Sequence, residues 1–141
     1  MTSRGLRNRN PGNIRRSTTR YKGEVESVDR AFKSFENLAY GYRAMFVLLH
    51  TYRLKHGLRT AAEMLRRYAP PIENQTEAYI RSVELISGVP ADEPLDTLCA
   101  EQMMPLVSAM SRIENGVCAS PGDVMRGWEM FADDYSSSSA K

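Results

Sequence analysis

The longest helical pattern in the chain starts just after residue 37, and it decides what the rest has to do. Leu38, Tyr42, Met45, Leu49 and Tyr52 recur on one face, with Ala44, Phe46 and Leu48 beside them. Ser34 or Asn37 can cap such a helix at its start, and Gly57 can close it, so the pattern predicts a helix reaching about residue 55. An apolar face this broad must be covered by other elements, which makes this the central core helix of a mainly α domain. The chain has 141 residues, enough to bury that helix in one compact domain and too few for two. No apolar run approaches the roughly 20 residues of a membrane-spanning helix.

Shorter helices surround it in sequence. Thr60-Ala61-Ala62-Glu63 is a capping box, so a second helix begins there and ends before Pro70. Asn74 or Thr76 caps a third over about 77–87, which buries Tyr79 or Ile80, Val83 and Ile86 and stops at Gly88. Asp96 or Thr97 opens a further segment with Leu98. Pro105 is expected to break it, leaving 106–115 as a separate rod. Ser120-Pro121-Gly122-Asp123 starts the last helix, packed through Val124, Trp128 and Phe131. From Asp133 onward the sequence ends in SSSSAK, so residues 1–132 are expected to form the domain and 133–141 a disordered tail.

The early segment reads differently. Residues 4–16, RGLRNRNPGNIRR, carry no helical pattern, and Asn10-Pro11-Gly12-Asn13 is a turn signal. Proline presets one dihedral there, glycine permits a positive one, and the asparagines bond their own backbone. Asn8, Asn10 and Asn13 also offer the neutral donors and acceptors that read sugar hydroxyl and acetamido groups. Thr18, Thr19, Tyr21, Val25 and Val28 favour strands, with Lys22-Gly23 as a turn. The fold class is therefore mainly α with a small β-hairpin, an α+β arrangement. Glu24, Glu26 and Asp29 ride on the hairpin, where one of the acids can act as a second carboxylate across a cleft.

Glu114 is the residue with the strongest chemical implication. In the stretch LVSAMSRIENG, Leu106, Met110, Ile113 and Val117 share a face, and Asn115-Gly116 ends the helix. The carbonyl end of a helix dipole disfavours a negative charge in the last turn. A carboxyl group biased toward its protonated form is what glycoside cleavage needs to protonate a leaving oxygen. Many ordinary helices end on a surface glutamate, so this position gains meaning only from what surrounds it.

Charge and cysteine usage narrow the setting. Residues 1–22 hold seven Lys or Arg and no acid, while the rest carries twelve basic and seventeen acidic residues. Such a basic arm suits an anionic polymer, nucleic acid or cell wall. No helix-turn-helix or aromatic-rich sheet motif supports nucleic acid, which ranks last. Cys99 and Cys118 lack CxxC spacing and are expected to be free thiols. His50 and His56 have no ligand-like partners, so no metal and no cofactor are expected. The eight methionines serve as core filler. The first 13 residues lack the apolar stretch of a secretory signal. Synthesis in a cytoplasm without a signal peptide is expected, and if the protein acts outside, something else carries it there.

Taken together, the motifs resemble a known group. Arg4-Gly5-x-Arg7-Asn8-x-Asn10-Pro11-Gly12-Asn13-Ile14-Arg15 resembles the opening of phage and prophage proteins described as virion-associated, lysozyme-like or peptidoglycan-degrading. The likeness continues at Tyr21-x-Gly23, Phe32-x-x-Phe35, Gly41-x-x-Ala44-Met45, Tyr68-Ala69-Pro70-Pro71, Glu73-Asn74-x-Thr76-x-Ala78-Tyr79-Ile80 and Ile113-Glu114-Asn115-Gly116. Arg9 departs from the pattern, where asparagine is more typical. A more distant resemblance is to bacterial glucosaminidases of the lysozyme-like superfamily. There a helix ending on the catalytic glutamate precedes an asparagine-rich loop, an aromatic-x-Gly hairpin, a long helix and a Tyr-Ala loop before another tyrosine. This chain keeps that order from Asn8 to Tyr79 but carries the glutamate helix at the far end.

The resemblance implies a circularly permuted lysozyme-like domain with Glu114 as general acid, and permutation is easy when termini meet on a surface. It further implies a peptidoglycan glycosidase or lytic transglycosylase acting between amino sugars, with Glu24 or Glu26 positioning a water. Asn10, Asn13, Tyr21, Tyr68, Glu73, Asn74, Tyr79 and Asn115 would bind substrate. The partners implied are glycan strands and other virion proteins. The alternative is an inactive virion structural or protein-binding module, since fold does not fix function.

Overall fold

The computed structural model describes residues 2–69 and 73–139, without the side chains of 73, 74 and 136–139. Among the described residues, six helices and one two-stranded sheet follow one another: α1 (Arg4–Arg7), β1 (Glu24–Val25), β2 (Ser34–Phe35), α2 (Leu38–His56), α3 (Ala61–Tyr68), α4 (Glu73–Ser87), α5 (Ala100–Asn115) and α6 (Pro121–Ser139). The α+β class expected from the sequence is observed.

The long helix forms as its pattern predicts. Asn37 caps α2 through its side chain to the Tyr40 amide, and Gly57 closes it in the left-handed conformation. Tyr42, Met45, Phe46 and Leu49 are fully buried, and α6 lies along them. Phe46 meets Trp128 edge-on at 5.0 Å between ring centroids, with Phe131 alongside. Gly127 allows the close crossing, because a Cβ there would sit 2.8 Å from the Ala39 carbonyl and from Tyr42 Cβ. α5 crosses the same core, tied to α2 by the Tyr42–Ser111 hydroxyl pair at 2.9 Å. His50, also in the core, bonds Thr97 at 2.7 Å, and its burial holds the imidazole below its ordinary value.

Several boundaries differ from expectation. Residues 4–7 form a helical turn, because the Ser3 hydroxyl accepts from the Leu6 amide and supplies the missing cap. α4 begins at Glu73 rather than near 77, and Ile86 is 41% exposed instead of buried. Pro105 lies inside α5 and does not break it. The one backbone bond it removes is outweighed by Met103, Leu106, Val107 and Met110, all buried around it. Val117 lies past the end of that helix and is 54% exposed. α6 continues through the region expected to be a structureless tail, and Asp134 explains why: it pairs with the buried Arg43 of α2 at 2.8 Å and with Lys22 at 2.8 Å. Ala140 and Lys141 lie outside the described residues.

The basic arm is not a loose extension. The predicted turn closes through the Asn13 amide and the Asn10 carbonyl at 3.0 Å, but the positive φ falls on Asn13 (50°) and not on Gly12. β1 and β2 pair antiparallel, Glu24 opposite Phe35 and Val25 opposite Ser34, after a turn at Lys22-Gly23 with Gly23 at φ 77°. Thr18 and Thr19 form no strand; an Arg15–Phe32 bridge is the only other pairing around them among the described residues. The hairpin and the arm lie against the first turns of α2, with Gly23 on Tyr40 and Gly41 beneath Arg9 and Pro11.

Candidate functional site

The two ends of the chain are sewn together at the C-terminus of α5. Gly116 closes that helix in the left-handed conformation, so its last residues stand clear of the core and face the arm. Asn115 donates to the Pro11 carbonyl at 2.8 Å and to the Ser111 carbonyl at 2.8 Å, while its own carbonyl accepts from the Ser3 hydroxyl at 2.6 Å. Beside it, Asn13 Nδ2 donates to Glu114 Oε1 at 2.8 Å across 101 positions of sequence. The contact needs Gly5 beneath it: a Cβ there would lie 2.5 Å from Asn115 Oδ1 and 2.9 Å from Asn13 Oδ1.

Two tyrosines complete the junction. Tyr68, at the end of α3, donates its hydroxyl to the Gly12 carbonyl. Tyr79, on α4, lies near the Glu114 carboxylate with its hydroxyl buried and without a protein partner among the described residues; Asn13 Oδ1 is in the same condition. Burial first, and then the Glu114 charge, raises the Tyr79 phenol well above its ordinary value. Burial likewise raises Tyr68, with Tyr79 and Glu114 adding to it. Both phenols therefore stay protonated at neutral pH and serve as donors. Glu114 itself is half-buried.

A cavity of about 260 Å³ opens next to the junction, lined by Asn13, Tyr68, Tyr21, Tyr52, Arg15 and Arg67 among others. It adjoins a larger groove of about 780 Å³, and Thr19, Tyr21, Leu48, Tyr52 and Arg67 line both. Tyr21 stands between them, its phenol pushed up to about 12, chiefly by burial.

The structure thus gathers Glu114, Asn13, Tyr68 and Tyr79 at one place, with Tyr21 along the groove. Other expected site residues serve the fold. Asn10 is wholly buried, and its side chain donates to the Ile14 and Lys33 carbonyls and accepts from the Ile14 amide, each at 2.9 Å. No polar atom of Asn10 remains for a sugar. Asn115 is spent in the same way, as a clasp. Glu24 lies 3.0 Å from the buried Lys33 ammonium, which also donates to the Ser17 and Thr19 carbonyls, so this carboxylate is a counter-ion. Glu26 is exposed and lines a separate cavity with Glu24, one that contains neither Asn13 nor Tyr68. Glu73 and Asn74 open α4, and their side chains lie outside the described residues, as do Pro70 and Pro71.

Sequence reasoning missed Ser3, Ser111 and Gly5, which hold the junction together. A serine immediately ahead of a helical turn was a readable signal; the small side chains were not, because their role depends on what packs against them.

Over 118 aligned residues the chain is 37% identical to Protein P5 of Pseudoalteromonas phage PM2, covering 81% of this chain and 72% of that protein. The chain belongs to the Protein P5 family. It is therefore related to a phage protein, as the motifs suggested. No protein-family model matches the sequence. Among the described residues of this P5-family chain, no helix is long and apolar enough to cross a membrane.

Proposed function

We propose that this P5-family protein cleaves the β-1,4 bond between amino sugars of peptidoglycan, with Glu114 as general acid on a permuted lysozyme-like domain. The observation that carries the reading is the 2.8 Å bond between Asn13 Nδ2 and Glu114 Oε1. It joins an asparagine turn and a helix-terminal glutamate beside a sugar-sized cavity, the pairing that the resemblance to glucosaminidases calls for. Glu114 protonates the glycosidic oxygen as the bond to the anomeric carbon breaks. Asn13 fixes the rotamer of the carboxyl group, and the Tyr79 hydroxyl is a protonated donor close to it.

A single-glutamate route fits these surroundings better than a two-carboxylate one. Among the described residues no Asp or Glu lines the cavity beside Asn13, Glu114 included: it stands behind the wall, bonded to Asn13, while Glu24 is held by Lys33. In the lytic route the sugar's own hydroxyl attacks the anomeric carbon and returns its proton to Glu114, so no second acid is required. A hydrolase with a second carboxylate would need it about 5 Å away for retention or 6.5–9.5 Å for inversion. The protein would meet its substrate as part of a virion or after delivery to the wall.

The alternative is an inactive phage structural or protein-binding module, in which Glu114 and Asn13 only staple the ends of the chain. Kinship with a phage protein is compatible with either reading. Clearing of purified peptidoglycan by wild type and by Glu114→Gln tells them apart. Activity in the wild type that falls at least about 100-fold in the variant supports the acid. Equal activity sinks it, and inactivity of both favours the module.

A further inference from the structure

The larger groove has a property that cleavage of a neutral sugar bond does not explain. Its lining brings together Arg20, Lys22, Arg43, Lys55, His56 and Arg67, and no Asp or Glu. These cations come from three places: the hairpin turn, α2, and the end of α3. Lys22 and Arg43 share Asp134. Arg20, Lys55 and Arg67 are exposed and form no ion pair among the described residues. The Arg67 guanidinium is held over the Tyr52 ring, 5.4 Å from its centroid, and both residues line the groove as well as the cavity at Asn13. A concave site lined by one sign of charge concentrates ligands of the other sign, and guanidinium forks match carboxylates.

We propose that this groove binds the carboxylates of acidic peptide branches borne by the glycan strand whose backbone lies at Glu114. The assignment rests on the glycosidase reading for what passes Glu114, but the groove's preference for carboxylate is measurable without cleavage. Adjacency decides the occupant. The groove and the cavity share five lining residues, Arg67 among them, so a strand seated at Asn13 has the groove cations Arg20, Lys55 and Arg67 on its flank, where its side branches would extend. A nucleic acid would use the same cations without any need for the cavity.

The test titrates Glu114→Gln protein with a soluble peptide-bearing glycan fragment and with the same fragment after amidation of its peptide carboxyls. Amidation is expected to weaken binding at least tenfold. The combined R20Q/K55Q/R67Q variant is expected to weaken binding of the free-acid fragment at least tenfold while leaving the amidated one unchanged. All three positions are at the surface, and circular dichroism melts verify folding; R20Q/K55Q, which leaves the Tyr52 contact intact, serves should the triple variant melt early. Equal binding of the two fragments, no binding of either, or loss in the triple variant that is the same for both would overturn the proposal. So would a single-stranded oligonucleotide of equal charge that binds tighter than the free-acid fragment, since phosphate polymer would then be the occupant. If Glu114→Gln proves as active as wild type while the carboxylate preference holds, the catalytic reading fails and the groove stands. If Glu114→Gln is inactive and amidation has no effect, the groove alone fails.

Discussion

Two polar clusters grow from the same basic arm, and they are built to opposite rules. Under the hairpin, Asp29 accepts from Arg4, Asn8 and the Ala31 and Phe32 amides, and Asn10 and Lys33 spend their hydrogen-bonding groups on backbone carbonyls and on Glu24. At the α5 terminus, Glu114 meets Asn13 and Tyr79, and two buried polar atoms there lack protein partners among the described residues. An unpartnered buried polar atom costs about 1–3 kcal/mol, so the second cluster is not what a search for stability alone would leave. Carboxylates that resemble each other in sequence are thus a counter-ion in one place and a candidate acid in the other.

Substitutions can break this contrast or sharpen it. Asn10→Ala removes three buried hydrogen bonds and leaves their backbone partners stranded, so thermal melts should show a loss of about 3 kcal/mol. A loss below about 1 kcal/mol would mean the first cluster is not saturated as described. Glu24→Gln uncovers the buried Lys33 ammonium and should destabilise by about 2–3 kcal/mol. Its cleavage rate per folded molecule should be unchanged; a rate drop beyond about tenfold would restore Glu24 as a second catalytic carboxylate.

Asp29 gives a pH signature. Its bonds to Arg4 and to the Ala31 amide hold the carboxyl well below the usual carboxylate range. A depressed folded value contributes stability that is present above the unfolded value, roughly 4, and is lost as pH falls toward the folded one. The melting temperature should therefore drop between about pH 4 and 2, and Asp29→Asn should flatten that slope. The smallest effect is expected at Tyr79. Phenylalanine there deletes a buried hydroxyl that neighbours the Glu114 carboxylate, so stability should change by less than about 1 kcal/mol while cleavage slows by about tenfold. A clear loss of stability would show that the hydroxyl is structural.

Local signals were legible wherever one turn of chain decides the outcome. The Thr60–Glu63 capping box, the Asn37 cap and the glycine ends at Gly57 and Gly116 all stand as the sequence indicates. Long-range packing hid the rest. Pro105 reads as a break, yet buried neighbours on both sides carry α5 through it. Asp133-Asp134 reads as the edge of a tail, yet Arg43, 91 residues earlier, holds the helix on. Asn10 and Asn13 look alike in an asparagine turn; only their partners show one to be locked in the core and the other set against Glu114. The basic groove was invisible because Arg20, Lys55 and Arg67 are scattered along the chain and meet only when α2, α3 and the hairpin turn pack.

Under the proposed mechanism Glu114 supplies the proton at the junction of the two chain ends. Mass spectrometry of the fragments released from purified peptidoglycan by wild type and by Glu114→Gln tests it most directly. The wild type should release disaccharide-peptide products with anhydro or reducing sugar ends, and the variant at least about 100-fold less of them. The same products at the same rate from both proteins would contradict it.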